Sequence, residues 1–441
     1  MPFIPNTDSD RRQMLEALGK PSVESLFEDI PKHLRYPKLD MPPALSEMEI
    51  LREIEALAAK NLCSSTCAWF LGAGAYNHFI PSLVPALASR GEFLSAYTPY
   101  QPEVSQGTLQ AIFEYQSMAG SLFGVEAMNA SHYDGATALA EAVLMALRNS
   151  PDRETVLLPA ALHPEYKDVI RTYLEPQSAR IREYSESPAA AASSLDASVS
   201  CLVAAYPDFE GRVHDLAGVA DAVHAAGALL IVHSDPILLG LFKSPGELGA
   251  DIVTAEGQAL GNAMNYGGPF LGMMGAAAKL VRKMPGRIAG QASDARGQRG
   301  FVLTLSAREQ HIRREKALSN ICSNQGLVML QACIYLATLG KNGLKKVAEL
   351  CWHKAHYAAS EIAKIPGFSI PKDIFFKEFV VKTPLPAQEI YDKLSRRCVV
   401  PGLPLSRYWP DRKNELLVCV TEMNTKDQID LLVASLKEAS K

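Results

Sequence analysis

Apolar and polar positions alternate in blocks through the middle of the chain, and these blocks predict strands and helices in turn. Helices are expected at 109–122, 136–148 and 214–226, with another opening at His163-Pro164. Short apolar runs of strand character occur at 125–130, 155–158, 200–205, 228–232, 251–255 and 270–274. Strands separated by helices of about ten to fifteen residues are typical of a mainly parallel sheet covered on both faces.

The N-terminal residues have a different, helical pattern. Asp8 or Ser9 is expected to cap a short helix, and Ser46 to open a longer amphipathic helix. Glu49 follows Ser46 by three residues, as in a capping box. We predict a helical arm over residues 1–68, which either wraps a neighbouring subunit or domain or packs on its own domain.

The C-terminal residues predict a separate small domain. Long helical segments at 307–338 and 341–364 lead to strands at 375–381 and 416–421 and helices at 387–397 and 426–437. With the arm, this gives three predicted parts. They are the arm at 1–68, a large domain with a mainly parallel sheet at 69–306, and a small C-terminal α/β domain at 307–441.

Composition is that of a soluble globular protein. Of 441 residues, 48% are apolar and 21% charged, and the formal net charge of −4 argues against a nucleic-acid or membrane surface. We read no apolar run of the roughly 18 residues that a membrane span needs, and no signal peptide. The eight cysteines are scattered, with only Cys63 and Cys67 close together, so buried free thiols are expected and no metal site. The chain is predicted to be cytoplasmic.

A stiff polar loop stands out at residues 97–107, which read Tyr-Thr-Pro-Tyr-Gln-Pro-Glu-Val-Ser-Gln-Gly. Two prolines fix φ and extend the residues before them. Because the loop also carries two tyrosines, a glutamine and a glutamate, it is more typical of a binding loop than of a connection. Ordinary interface aromatics, or a glutamate that caps the next helix, are the alternatives.

A second group of candidate residues lies at the predicted carboxyl ends of the strands, where parallel sheets bind ligands. The segments are Asp134 to Thr137, His163, Tyr206-Pro207, His233 to Asp235 and Glu256 to Gly261. By contrast, Gly72-Ala-Gly74 alone is a poor dinucleotide signature, because no β-branched strand precedes it and no third glycine follows at the right place. For Asn77 and His78, which follow, a turn asparagine and a surface histidine are the default.

Four segments resemble glycine decarboxylase, the P-protein of the glycine cleavage system. They start at Gly72 (Gly-Ala-Gly-Ala-Tyr-Asn-His), at Tyr97 (the stiff loop), at Asn129 (Asn-Ala-Ser-His-Tyr-Asp-Gly-Ala-Thr) and at Gly267 (Gly-Gly-Pro). The resemblance is to the N-terminal half of that enzyme, which in many bacteria is a separate subunit 1. It implies the fold-type-I architecture of pyridoxal-phosphate enzymes, like that of aspartate aminotransferase, over nearly the whole chain.

The resemblance also implies which parts of a pyridoxal-phosphate site this chain keeps. Asn77, Thr137 and His163 match cofactor-binding positions. Gln258 occupies the position of the lysine that holds the cofactor, and an amide has no basic nitrogen. His233 stands where the catalytic paralogue has the aspartate that pairs with the pyridinium nitrogen, and Asp235 lies two residues late.

The expected function is therefore a half-site, meaning that this chain completes the pocket of a second subunit. A lysine-bearing subunit 2 holds the pyridoxal phosphate covalently, and Tyr97, Tyr100, Gln101 and Glu103 of this chain contact cofactor, substrate or carrier. The enzyme decarboxylates glycine and passes the aminomethyl group to the lipoyl arm of the H protein, with two copies of each subunit. The alternatives are a structural scaffold without active-site groups and a self-sufficient decarboxylase or transaminase that uses another lysine.

Overall fold

The computed structural model describes residues 5–440, which divide into two compact units between Asn61 and Leu62. The first unit contains helices α1 (Asp8–Ala17) and α2 (Glu47–Ala58). The capping box predicted at Ser46 is confirmed, because Ser46 and Glu49 bond each other's backbone N–H. Helix α1 is capped by Thr7 rather than by Asp8 or Ser9.

The second unit is built on a seven-stranded sheet with the strand order β2-β8-β7-β6-β5-β3-β4. Strands β3 to β7 are parallel, and β8 and β2 continue the sheet in antiparallel pairs. The mainly parallel sheet is thus confirmed. The strands of this sheet are β2 (Ala127–Met128), β3 (Thr155–Pro159), β4 (Arg180–Tyr184), β5 (Val199–Tyr206), β6 (Leu229–Ser234), β7 (Ile252–Glu256) and β8 (Gly272–Ala276).

Helices cover both faces of this sheet, and strands β5 to β7 are consequently buried on both sides. One apolar cluster includes residues of α5 (Gln106–Phe123) and α11 (Gly326–Ile362), and the other includes residues of α6 (Gly135–Asn149) and α7 (Pro164–Leu174). Up to residue 225 the helices of the second unit are α3 (Leu83–Ala88), α4 (Gly91–Leu94), α5 (Gln106–Phe123), α6 (Gly135–Asn149), α7 (Pro164–Leu174), α8 (Pro188–Ser193) and α9 (Val219–Ala225).

A smaller antiparallel sheet follows in the C-terminal part, with the order β11-β14-β13. The remaining elements are the pair β1 (Ala68–Trp69) and β12 (Val399–Val400), the hairpin β9 (Ile288–Ser293) and β10 (Arg299–Thr304), strands β11 (Glu378–Lys382), β13 (Leu403–Pro404) and β14 (Glu415–Cys419), and helices α10 (Gln310–Arg313), α11 (Gly326–Ile362), α12 (Ala387–Ser395) and α13 (Lys426–Ala439). Since β1 pairs with β12, Ala68 and Phe70 pack in the C-terminal apolar cluster. The boundaries of the three predicted domains stay a prediction.

The helix predicted over 307–338 is wrong in its first half. Residues 306–325 contain only one-turn helices, and α11 begins at Gly326. Leu305 and Arg314 have positive φ, which an α-helix does not tolerate. Helix α11 is long and apolar enough to cross a membrane by length and composition alone, but half of its most apolar window is buried inside the protein.

Candidate active-site regions

The carboxyl ends of β3, β5, β6 and β7 surround a cavity of about 70 Å³. Small-ligand sites usually enclose about 300 Å³ or more, so side chains fill most of the space here. Four of the five strand-end segments predicted from the sequence contribute residues to the lining, and the fifth is joined to it through the bond between Gly135 and Glu256. Residues that line the cavity include Tyr76, His163, Tyr166, His233, Asp235 and Glu256.

The Glu256 carboxylate accepts three backbone N–H groups at the edge of this cavity. Oε2 accepts from Gly135 (2.8 Å), and Oε1 accepts from Gln258 and Leu271 (both 2.9 Å). Burial raises the pKa of Glu256 to about 8, and the three N–H bonds limit the rise. Gly135 opens α6, and a helix N-terminus is where a phosphate group is normally held. The chain's own carboxylate takes that place.

Thr137 lies in the same first turn and belongs to a capping box. Its backbone N–H donates to Asp134 Oδ1 (2.8 Å), and its hydroxyl donates to the same oxygen (2.8 Å). Both donors are therefore engaged by the cap. The predicted contact of Thr137 with a cofactor stays a prediction.

The Gln258 side chain fastens the segment that contains Tyr76. Oε1 accepts the N–H of Tyr76 (2.8 Å), and Nε2 donates to the carbonyl oxygens of Tyr76 (3.0 Å) and Asn262 (2.7 Å). The side chain is 1% exposed. All the hydrogen-bonding groups of the amide are thus used to hold the backbone.

His163 contacts the segment that contains Asn77. His163 Nε2 donates to the carbonyl of Ala73 (3.0 Å), which leaves Nδ1 to accept the N–H of Glu165 (3.2 Å). The ring stacks on Tyr166 with 4.7 Å between centroids, and burial lowers its pKa. Asn77 accepts the Thr421 hydroxyl on its backbone carbonyl. Neither contact tests the predicted cofactor roles.

A chain of buried polar and charged groups lies beside the cavity, and two of its members, Lys377 and Glu422, gave no signal in the sequence. Lys377 Nζ is 2.6 Å from Asp235 Oδ2, 3.1 Å from His78 Nε2 and 3.5 Å from the centroid of the Tyr76 ring. His78 Nδ1 is 2.7 Å from Glu422, so this histidine is buried and not the surface residue expected by default. Burial alone lowers the pKa of Lys377, but the Asp235 charge outweighs it and the pKa is raised. Lys377 is therefore an ammonium and not a nucleophilic amine.

His78, Cys351 and Glu422 also form a group that could hold a metal ion, since their ligand atoms lie within 4.8 Å of one another. However, Glu422 accepts from both the His78 ring and the Cys351 thiol, and Lys377 occupies the other His78 nitrogen. The contacts of the described residues satisfy this group without an ion.

The stiff loop at 97–107 lies on the surface and is anchored at both ends. Tyr100 accepts a hydrogen bond from Arg287 Nη2 (3.1 Å), and the guanidinium lies 5.4 Å from the centroid of its ring. Gln106 bonds both the N–H and the carbonyl of Phe301 on β10 (both 2.8 Å). The backbone is thus held while its polar side chains remain outside.

The four predicted half-site residues are all exposed. Tyr97 is 77% exposed and Tyr100 43%. Gln101 and Glu103 are exposed and, within the described residues, their side chains make no hydrogen bond or ion pair. Ser105 starts α5 without a side-chain cap, and Glu103 does not cap it either. The alternative of a capping glutamate is therefore wrong.

Arg287 is a residue that sequence reasoning missed. It is 4% exposed, and its guanidinium bonds Tyr100, the carbonyl of Cys322 and the Asn324 side chain. In residues 5–440 it has no carboxylate partner, and its Nε–H is unpaired. A buried cation without an anion is unusual, and here it supports the loop.

The comparisons with known proteins define first a class and then a family. A sphingosine-1-phosphate lyase from Burkholderia pseudomallei (15% identical, TM-score 0.65, 93% of this chain and 94% of the other) shares the fold. So does a cysteine desulfurase from Escherichia coli (14% identical, TM-score 0.63, 86% and 95%). The protein thus has the predicted fold-type-I architecture of pyridoxal-phosphate enzymes.

The chain belongs to the glycine cleavage system P-protein family, whose family model matches residues 1–436. It is 49% identical to a probable glycine dehydrogenase (decarboxylating) subunit 1 of Thermomicrobium roseum, over all of both chains. The corresponding protein of Desulforamulus reducens is 50% identical over 99% of each. A crystal structure of glycine decarboxylase in inhibitor-bound form superposes with a TM-score of 0.90 at 42% identity, with both chains covered fully. The family expected from the four sequence segments is confirmed.

Proposed function

We propose that this chain is subunit 1 of a cytoplasmic glycine decarboxylase and completes the active site of a lysine-bearing subunit 2. The full-length similarity to proteins named subunit 1 supports the assignment. The assembled enzyme, with two copies of each subunit, decarboxylates glycine and passes the aminomethyl group to the lipoyl arm of the H protein. Pyridoxal phosphate supplies the electron sink for that chemistry and is bound covalently by the partner.

The contacts around the 70 Å³ cavity support this division of labour. The residues of this chain do not fit the cofactor, because Glu256 takes the N–H groups at the start of α6 and Gln258 is fully engaged with backbone. Asp235, the nearest acidic candidate for a pyridinium partner, is paired with Lys377. We therefore assign this chain no chemical step on the cofactor.

The main support for the proposal is the stiff loop, because the side chains of Gln101 and Glu103 make no hydrogen bond or ion pair within residues 5–440 and Tyr97 is 77% exposed. Tyr97, Gln101 and Glu103 project from a backbone that Arg287 and Gln106 hold in place. Because the backbone is held in advance, only the side chains have to be ordered when they bind a substrate or carrier, which lowers the entropy cost of binding. We assign Tyr97, Tyr100, Gln101 and Glu103 to hydrogen bonds in the partner's site and to the exclusion of water from it.

The alternative is a scaffold that only keeps subunit 2 folded and docks the carrier. Both functions need an exposed surface, but only the half-site requires the loop's polar groups themselves. Tyr→Phe removes a hydroxyl and Glu→Gln removes a negative charge, and both conserve shape. Since the Tyr100 hydroxyl also accepts a hydrogen bond from Arg287, Glu103→Gln is the cleaner test of the two functions.

In the complex reconstituted with subunit 2 and H protein, Tyr100→Phe and Glu103→Gln are each expected to lower glycine-dependent CO₂ release by about tenfold or more, because the first removes a hydroxyl and the second a negative charge from the proposed site. Assembly, followed by analytical ultracentrifugation, should not change. Tyr391→Phe and Glu389→Gln, on α12, are matched controls of the same chemistry and should keep full turnover. Unchanged turnover in both loop variants would support the scaffold.

Gln258→Lys is expected to create no glycine turnover in the isolated chain. The substitution breaks the bonds to Tyr76 and leaves Glu256 on the N–H groups at the start of α6. We expect no absorbance band of covalently bound pyridoxal phosphate and a lower thermal midpoint than the unsubstituted chain. A band with turnover in this single variant would contradict the proposed division of labour. A band from the unsubstituted chain alone would favour a self-sufficient enzyme.

A further inference from the structure

Three cysteines lie together at the first strand pair of the second unit, and the proposed function does not use them. Cys63 and Cys67 precede β1, and Cys398 precedes β12. The two strands are parallel, with Ala68 opposite Val399. Cys67 and Cys398 are therefore the residues immediately before the first matched pair.

Cys67 and Cys398 are placed to form a disulfide. The N–H of Ala68 donates to the carbonyl of Cys398 (2.9 Å), which fixes Cys398 beside Cys67, and the neighbouring Cys67 thiol raises the pKa of Cys398. Neighbouring strands lie about 4.8 Å apart, which is inside the Cα–Cα range of about 4.4–6.8 Å that disulfides span. Joining the two sulfurs therefore requires little backbone movement.

Cys63 is the nucleophile of the group. Its sulfur lies 3.1 Å from the Ser65 hydroxyl and 3.2 Å from the Thr66 hydroxyl. These bonds favour the thiolate and lower the pKa of Cys63 to about 7. The Thr66 hydroxyl is also 3.8 Å from the Cys67 sulfur, so one hydroxyl lies between the two sulfurs.

We propose that Cys63, Cys67 and Cys398 form a redox site that reacts with hydroperoxides and ends as a Cys67–Cys398 disulfide. The Cys63 thiolate attacks one peroxide oxygen, the O–O bond breaks, and hydroxide or alkoxide leaves. The resulting sulfenic acid is attacked by the Cys67 thiol, which forms a Cys63–Cys67 disulfide and releases water.

Thiol–disulfide exchange completes the sequence. Cys398 attacks the Cys67 sulfur and releases Cys63 as a thiol. Overall, two thiols lose two electrons and the peroxide gains them, and with hydrogen peroxide the products are the disulfide and two water molecules. The product ties β1, which leads into the segment that contains Tyr76, to β12 in the C-terminal part.

The experiment is peptide mapping of the full chain, without reduction, after brief treatment with hydrogen peroxide. The expected product is a linked pair of peptides containing Cys67 and Cys398. Cys63 should also be alkylated by iodoacetamide at pH 7 about tenfold faster than Cys322, an exposed cysteine outside the group. Equal rates, or no Cys67–Cys398 link, would overturn the proposal.

Single variants assign the roles within the site. Cys63→Ser should slow formation of the Cys67–Cys398 link by about tenfold or more, and Cys398→Ser should trap the Cys63–Cys67 disulfide. Cys322→Ser is the control and should react like the unsubstituted chain. If Cys63→Ser forms the link at the normal rate, Cys63 is not the attacking residue. None of these measurements needs subunit 2, so their outcome is independent of the proposed function.

Discussion

Replacing Lys377 with methionine is expected to lower the free energy of unfolding by about 3–5 kcal/mol, the usual cost of removing one partner from a buried ion pair. The ammonium is 1% exposed and lies 2.6 Å from Asp235. Its loss leaves the Asp235 carboxylate buried without a counter-charge and removes the cation from the Tyr76 ring. Urea denaturation at pH 7 measures the effect as a lower midpoint.

Two further variants test the cause of this loss. Lys413→Met removes an exposed lysine and should change stability by no more than about 0.5 kcal/mol. The double variant Lys377→Met with Asp235→Asn should lose less than the sum of the two single losses, because the uncompensated charge is gone. Strictly additive losses would show that the pair is not coupled.

Acid is expected to destabilise the chain between pH 6.5 and about 4, largely through His132 and His233. Burial lowers the pKa of both to about 4; for His233 the neighbouring His163 adds to the shift and Asp235 opposes it. The unfolded histidines take up protons near pH 6.5, whereas the folded ones do so near 4. Their stabilising effect is therefore complete above pH 6.5 and is lost as the pH falls, by roughly 3 kcal/mol for each.

Glu256 acts in the opposite direction, since its raised pKa favours the folded state as the pH falls from about 8 to 4.5. The test therefore compares the pH dependence of stability between the unsubstituted chain and histidine variants, because all of them contain Glu256 and its contribution cancels. His233→Gln should reduce the loss of stability between pH 6.5 and 4 by roughly 3 kcal/mol relative to the unsubstituted chain. His353→Gln, at an exposed position of α11, should leave it unchanged. An unchanged pH dependence in His233→Gln would exclude this residue as the source.

Local sequence patterns predicted the elements whose stability is local. The Ser46 capping box and the start of α7 at Pro164 follow from side chains that bond the adjacent turn. The hairpin of β9 and β10 was missed, although Asp294 and the positive φ of Gly297 form its turn. The helix predicted from residue 307 failed because that segment has few apolar residues to bury.

The residues of the candidate site could be predicted only where the order of strands in the sheet brings them together. Strand ends come together in any parallel sheet, so the positions of His163, His233 and Glu256 could be expected. Lys377 and Arg287 could not, because their charges are paired or supported by residues far away in the sequence. Neither residue lies in a local pattern that marks a buried cation.

The contacts of Glu256 and Gln258 make the loss of a cofactor pocket difficult to reverse in evolution. If this chain arose by duplication from a lysine-bearing ancestor, no single reversal restores the ancestral pocket. With lysine at position 258 alone, Glu256 still occupies the backbone N–H groups that a phosphate would need. With a smaller residue at position 256 alone, those N–H groups are free, but Gln258 still provides no amine. Each of these single variants therefore loses contacts that stabilise the fold and does not yet bind the cofactor covalently. Under the proposed division of labour between the two subunits, single substitutions therefore do not return this chain to a cofactor-binding form.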